Sequence, residues 1–280
     1  MSTGTPHGTA HDRSGDHGAR PRHRPHPATP PRRRPRQGYP GAVWAIGDSL
    51  GITASGTVGV LDPECPGEPM RRDTVFDIAS LTKILAVWST IGCLVEDGKL
   101  QLDTQLGDFW PEVSGHPLAK VTARHLLTHT ADVPLRANLR NLYGSDPQDI
   151  RDGVLREALH RPPGEAVEYT DRAALILGYL AEYLSGRSLD ALADSHVWQP
   201  LGMTQTHFGP LPDGAAARCA PTELDDGTGT HLKGSAHDFS ARLLGGVCDF
   251  GLGPQLSAGR VRAAFHVRLG DQQQRLHLHT

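Results

Sequence analysis

The chain is poor in aromatic residues, at 5% Phe, Trp and Tyr, and it has only four cysteines in 280 residues. Those cysteines, Cys65, Cys93, Cys219 and Cys248, form no C-x-x-C pair and show no zinc-ribbon spacing. This pattern excludes a disulfide framework and a cysteine zinc site as the organising device, and the thiols read as buried or incidental. No run of about 18 apolar residues occurs, so no membrane span is expected. The N-terminus has no apolar h-region, so no secretory signal is read and the expected compartment is the cytoplasm. Charge of one sign is not in excess either. With 28 Lys and Arg against 31 Asp and Glu the formal net charge is -3, which gives no global electrostatic case for a nucleic-acid partner.

Three compositional zones are present. Residues 1–37 are rich in Arg, Pro and His, with Arg32, Arg33, Arg34 and Arg36 close together, and contain no Leu, Ile, Val or aromatic residue. Such a segment buries too little apolar surface to offset ordering entropy, so it reads as a disordered tail. Residues 38–247 carry the periodicity and turn signals of a globular domain. Residues 248–280, with Gln272, Gln273 and Gln274 among scattered Arg and His, read as an atypical end.

Within the globular zone, Ala42–Ile46 and the run from Ile52 to Val60, separated by Gly47, Asp48 and Ser49, read as a β-hairpin. Leu81, Ile84, Leu85, Trp88, Ile91 and Val95 recur at helical spacing ahead of Gly98, so Ser80 opens a buried helix. Further helices are expected over about 122–128, 171–184 and 188–197, the last stopped by Pro200. No repeat of fixed period occurs.

Ser80-Leu81-Thr82-Lys83 is an S-x-x-K sequence at a helix start. Residues three apart share a helix face, so the Lys83 amine can lie beside the Ser80 hydroxyl. A serine hydroxyl is a weak nucleophile that needs such a base or cation nearby, and the helix N-terminus favours negative charge developing there. The motif fixes only two positions, so its setting decides.

That setting resembles one family in four ordered segments. Asp77-Ile78-Ala79-Ser80-Leu81-Thr82-Lys83 resembles the nucleophile segment of class C β-lactamases, D-alanyl-D-alanine carboxypeptidases and related esterases. Val121–Thr130, then Pro163-Gly164-Glu165 with Glu168-Tyr169-Thr170-Asp171, then Gln199-Pro200-Leu201-Gly202-Met203-Thr204, resemble that family's later segments in order. The chain is thereby identified as similar to the serine β-lactamase / penicillin-binding-protein-like hydrolases. The resemblance implies an α/β fold of α+β type, with an antiparallel sheet flanked by helices and a helical region. It implies Ser80 as nucleophile, Lys83 as its activating partner, Tyr169 as proton shuttle to the leaving group, and Asp171 as a substrate-binding residue. It implies no cofactor or metal, and a small-molecule or peptidoglycan-like substrate. The family's commonest residue at Asp171 is Asn, whose amide donates to a carbonyl. An ionised Asp only accepts, which favours ester over β-lactam recognition.

Two other motifs are read without chemistry. Gly47-Asp48-Ser49-Leu50 matches the nucleophile block of another hydrolase family, but no His has an Asp three residues before it. His125 and His129 share i, i+4 spacing without the Glu of H-E-x-x-H or a third ligand.

One element is missing. The family's K-T-G or H-x-G edge-strand tripeptide, which supplies an oxyanion donor, occurs nowhere after Asp171; Lys233-Gly234-Ser235 is the nearest approach. The expectation is that the chain is altered after about Val247, lacks the C-terminal strands, and leaves its N-terminal hairpin with an exposed edge. The alternative to a serine hydrolase is therefore a catalytically impaired remnant or a non-catalytic binding protein of the same fold.

Overall fold

The computed structural model describes residues 39–251 apart from Ser49, 136–137, 210, 212–213, 226 and 245–247. The Arg-rich segment 1–37 and residues 252–280 lie outside the described residues, as does Ser49 of the Gly47–Leu50 block. Two three-stranded sheets, each antiparallel, accompany a larger helical part. This is a mixed α/β architecture, with antiparallel sheets and helices as the resemblance implies.

The first sheet is β1 (Gly41–Asp48), β2 (Gly51–Asp62) and β3 (Cys65–Pro69), in that order. The expected hairpin is β1–β2. Its connection is turn chemistry, with the Asp48 carboxylate accepting the Leu50 N–H at 2.7 Å. Gly56 faces Trp44 across the pair, and a Cβ there would come within 2.8 Å of the indole, so the glycine makes room for the ring. The outer edge of β1 is unpaired among the described residues. Ile46 and Ile52 are exposed nearby, at 61% and 49%.

The second sheet runs in the order β4 (Val75–Asp77), β6 (Cys248–Gly251), β5 (Thr206–Phe208). Sequence periodicity does not announce β4 or β5, because three residues are too few to display alternation. The start of the atypical end, Cys248–Gly251, is the central strand here. Lys233–Ser235 lies in a loop with Gly234 at φ 70°, not on a strand.

The helix opened by Ser80 winds as a π-helical stretch, Lys83–Trp88, before becoming α1 (Ser89–Glu96), and Gly98 follows at φ 69°. The wider turns leave carbonyls for side chains to hold. Trp198 Nε1 donates to the Leu85 carbonyl at 2.9 Å and Ser89 Oγ to that of Ile84 at 2.7 Å. Helices α2 (Ala123–Leu127), α3 (Leu139–Tyr143), α4 (Pro147–Leu155) and α5 (Asp171–Ser185) follow. Thr170 caps α5 by accepting the Arg172 N–H, Asp171 places a carboxylate in its first turn, and Gly186 ends it at φ 68°.

Beyond α6 (Leu189–Ala193) the expected stop before Pro200 is not observed. A π-helical stretch, Asp194–Trp198, leads into the one-turn α7 (Gln199–Leu201). Pro200 falls directly after the π-helical stretch, where the wider winding has already interrupted the regular α-helical hydrogen-bond ladder, and Gly202 ends the helix two residues on at φ 67°. Helix α8 (Phe239–Leu243) completes the set.

Ile91, Leu94, Leu126, Ile176, Leu177 and Leu180 meet in the main core with Leu106 and Trp110. Each such side chain contributes about 1.5–3 kcal/mol by leaving water. A second cluster, Ala86, Ala193, Val197 and Trp198, packs under the start of the nucleophile helix. The main cluster holds α1 against α5, the second joins the Lys83–Trp88 stretch to α6 and to Asp194–Trp198, and the candidate site lies where the nucleophile helix and α5 begin.

Candidate active site

Strand β4 delivers the chain to Ser80 through a tight turn. The Asp77 Oδ1 accepts the Ala79 N–H at 2.7 Å, and Ala79 adopts φ 47°. A non-glycine residue pays for that conformation, and such strain collects at functional sites. Helical bonds then begin, with the N–H groups of Leu81, Thr82 and Lys83 donating to the carbonyls of Ile78, Ala79 and Ser80. The Ser80 N–H makes no hydrogen bond among the described residues, and Ser80 itself is exposed. It is therefore open to donate to an oxyanion.

Lys83 is buried at 7% exposure. Its Nζ donates to Ser80 Oγ at 3.0 Å and to Asp171 Oδ1 at 2.6 Å. The spacing of Ser80 and Lys83 is local, whereas Asp171 arrives from the first turn of α5, 88 residues on. Sequence reading assigned Asp171 to the substrate; here its carboxylate also ion-pairs with Lys83. Tyr169 stands just before α5 with its ring centroid 5.0 Å from Lys83 Nζ, and it is 55% exposed. All four candidate residues are thus brought to one place.

Three further residues of the site, Asp77, His237 and His129, were given no site role by sequence reasoning, although Asp77 and His129 lie in family-like segments. Asp77 accepts the His237 main-chain N–H at 2.9 Å and the ring Nδ1–H at 2.6 Å. His237 comes from the segment before α8, and nothing in local spacing links it to Asp77. His129 sits at φ 56° with its ring 4.7 Å from that of Tyr169 and 5.5 Å from that of Trp88. Burial and the nearby Lys83 charge hold the His129 imidazole below its ordinary range, with Asp171 pulling the other way.

The two histidines at i, i+4 have separate uses. His125 Nδ1 accepts the Thr122 N–H in a reciprocal cap of α2, while His129 lies beyond that helix. Among the described residues no group of three His, Cys, Asp or Glu is placed to hold a metal ion. None of the described helices is long and apolar enough to cross a membrane.

A cavity of about 700 Å³ opens beside Ser80, Lys83 and Asp171 and runs along α5. Its walls mix apolar side chains such as Val87 and Leu175 with polar ones such as Arg151 and Tyr179. Burial pushes the Tyr179 phenol up to about 12, so this tyrosine keeps its proton at neutral pH. Tyr169 is not part of the cavity wall.

Fold and motif together define a class: an S-x-x-K protein of the β-lactamase/transpeptidase-like fold. The chain belongs to the Beta-lactamase family, whose model matches residues 19–265. That match extends beyond 38–247 in both directions. Among similar proteins, esterase EstB of Burkholderia gladioli is 34% identical over 186 residues, covering 60% of this chain and 47% of the esterase. An Escherichia coli (strain K12) protein named "Putative D-alanyl-D-alanine carboxypeptidase" is 29% identical over 168 residues, covering 55% of this chain and 39% of that protein. The chain therefore spans less than half the length of these curated relatives. A penicillin-binding protein homolog from Caulobacter crescentus superimposes with TM-score 0.56 at 25% identity, covering 66% of this chain and 51% of that one.

Proposed function

We propose that this chain is a serine hydrolase that forms an acyl-enzyme on Ser80 and acts on neutral esters. The observation that carries the reading is Lys83 Nζ placed between Ser80 Oγ and Asp171 Oδ1, at 3.0 and 2.6 Å. Ser80 Oγ attacks the acyl carbon. Lys83 takes the hydroxyl proton as it passes one of its own to the Asp171 carboxylate, which leaves the ammonium beside a protonated Asp171 and one positive charge to balance the oxyanion. The Ser80 N–H donates to the developing oxyanion. Tyr169 hands its phenolic proton to the leaving oxygen and regains one through Lys83, which recovers its own from Asp171. Water then attacks the acyl-enzyme by the same groups in reverse roles, releasing acid and free Ser80.

The ester preference rests on Asp171. Its ionised carboxylate donates no hydrogen bond to a substrate amide carbonyl, and it disfavours the carboxylate that β-lactams and D-alanyl peptides carry. The esterase among the relatives agrees with that choice; the carboxypeptidase-named relatives point to peptidoglycan-like substrates instead.

A fluorophosphonate probe tests the nucleophile. Mass spectrometry is expected to find the adduct on Ser80 and none in Ser80→Ala. A folded chain that takes no label favours the non-catalytic binding protein. Turnover of p-nitrophenyl acetate against a penicillin and a D-alanyl-D-alanine peptide then ranks the substrates.

A further inference from the structure

We infer that His129 is the positioning residue that fixes Tyr169 over Lys83, an inference resting on the proton-carrying role proposed for Tyr169. Three contacts converge on the segment that carries the tyrosine. The His129 carbonyl accepts the Glu168 N–H at 2.8 Å, one residue before Tyr169. The His129 Nδ1 accepts the Thr170 N–H at 3.5 Å, one residue after it. The imidazole packs against the phenol ring between them, with centroids 4.7 Å apart and planes at 45°. One residue thus holds both flanking amides and one face of the side chain.

The imidazole is itself held. Trp88 meets it edge-on at 5.5 Å, and Trp88 Nε1 is anchored on the Leu127 carbonyl at 3.1 Å. The main chain at His129 is left-handed, at φ 56°. A non-glycine residue in that region is strained unless its surroundings over-determine it, and here that conformation turns the carbonyl and the ring toward the same strand of chain. Nδ1 must be unprotonated to accept the Thr170 N–H. The lowered basicity of the ring keeps it so at neutral pH.

The arrangement matters because Tyr169 is otherwise little restrained. It is 55% exposed, and its hydroxyl makes no hydrogen bond among the described residues. Neighbouring bonds hold the backbone further off: Thr170 Oγ1 donates to the Pro134 carbonyl at 2.8 Å, and Arg161 bridges Asp132 and Glu168. None of these touches the phenol ring. A misplacement of about 1 Å in a catalytic group costs on the order of 100-fold.

The experiment is a double-mutant cycle on Ser80 acylation by p-nitrophenyl acetate, with His129→Ala, His129→Asn and Tyr169→Phe, and folding checked by circular dichroism. His129→Ala is expected to slow acylation about 10- to 100-fold in the parent and less than about 2-fold in Tyr169→Phe. His129→Asn is expected to restore most of the loss. Asparagine tolerates left-handed backbone, and its amide oxygen occupies the place of Nδ1. Equal losses in both backgrounds, or an Asn variant no better than Ala, overturn the inference. If Tyr169→Phe is as fast as the parent, the role of Tyr169 fails, and a separate readout decides His129. Fluorotyrosine placed at 169 gives a ¹⁹F resonance that His129→Ala should shift and broaden. An unchanged resonance overturns the positioning role.

Discussion

The Asp77 carboxylate receives two hydrogen bonds from a single residue, the main-chain N–H and the ring Nδ1–H of His237, while its other oxygen holds the Ala79 N–H. The Asp77 side chain is only 4% exposed. It therefore ties the strained turn before Ser80 to a segment 160 residues away.

Replacing Asp77 with Asn leaves an amide donor facing two N–H donors. The expected loss is about 1–3 kcal/mol of stability, the cost of unsatisfied buried groups. Labelling of Ser80 by fluorophosphonate should slow in parallel. Urea denaturation and labelling rates on the folded variant measure the two effects, and an Asp77→Asn variant unchanged in both contradicts the brace.

Asp171→Asn removes the ion pair with Lys83 and supplies an amide N–H that can reach a substrate carbonyl. The expected outcome is a shift of preference: acylation by a penicillin relative to p-nitrophenyl acetate rises about 2- to 10-fold, the worth of one hydrogen bond. The same change for both substrates means that Asp171 does not discriminate between them.

Stability should depend on pH through two histidines. Burial holds both His129 and His207 below the ordinary value of 6.5. The folded chain thus keeps them neutral where the unfolded chain takes up protons. Stability is complete above about pH 6.5 and falls as pH drops through 6.5 toward the folded values. Carboxylates held down by arginine, such as Asp103 and Glu112, add a further loss only at lower pH, below their ordinary values of 3.8 and 4.5. Melting temperatures followed from pH 7.5 to 5.5 (values chosen to bracket about 6.5) should fall in the parent and fall less steeply in His129→Asn. Parallel curves sink the assignment to His129.

Leu177 is fully buried in the main core on α5. Leu177→Ala is expected to cost about 2–5 kcal/mol from lost transfer and the cavity left behind. Chemical denaturation gives the number, and a cost below about 1 kcal/mol would mean that the core collapses around the gap.

The helices and the serine–lysine pair were legible because their information is local. The 3.6-residue apolar period marks α5. In the helix after Ser80, by contrast, the period picked out Leu81 and Ile84, which are exposed, and the buried face is Ala86, Val87, Thr90, Ile91 and Leu94. The Gly98 and Gly186 stops are readable as single residues, and Ser80 and Lys83 need only one turn of helix to meet. What sequence did not reveal depends on distant closure. The Lys83–Asp171 contact requires α1 and α5 to pack side by side. The Asp77–His237 contact requires β4 and the α8 approach to coincide. His129 was visible as one of a histidine pair and in a family-like segment, but its place against Tyr169 was not, since a left-handed main chain at a non-glycine residue leaves no compositional mark. Pro200 misled because a π-helical stretch, which single-residue signals do not announce, winds the chain through 194–198 and lets the helix run on past the proline to Leu201.

The edge of β1, unpaired among the described residues and with Ile46 and Ile52 exposed beside it, bears on colloidal behaviour. Where no strand covers it, its amides and carbonyls offer a template on which a second hairpin can add, and a net charge of only -3 provides little mutual repulsion. Light scattering from concentrated samples should therefore grow with time. A lysine at Ile46 should suppress that growth while leaving the chemistry at Ser80 untouched, which makes the hairpin the place to tune shelf life separately from turnover.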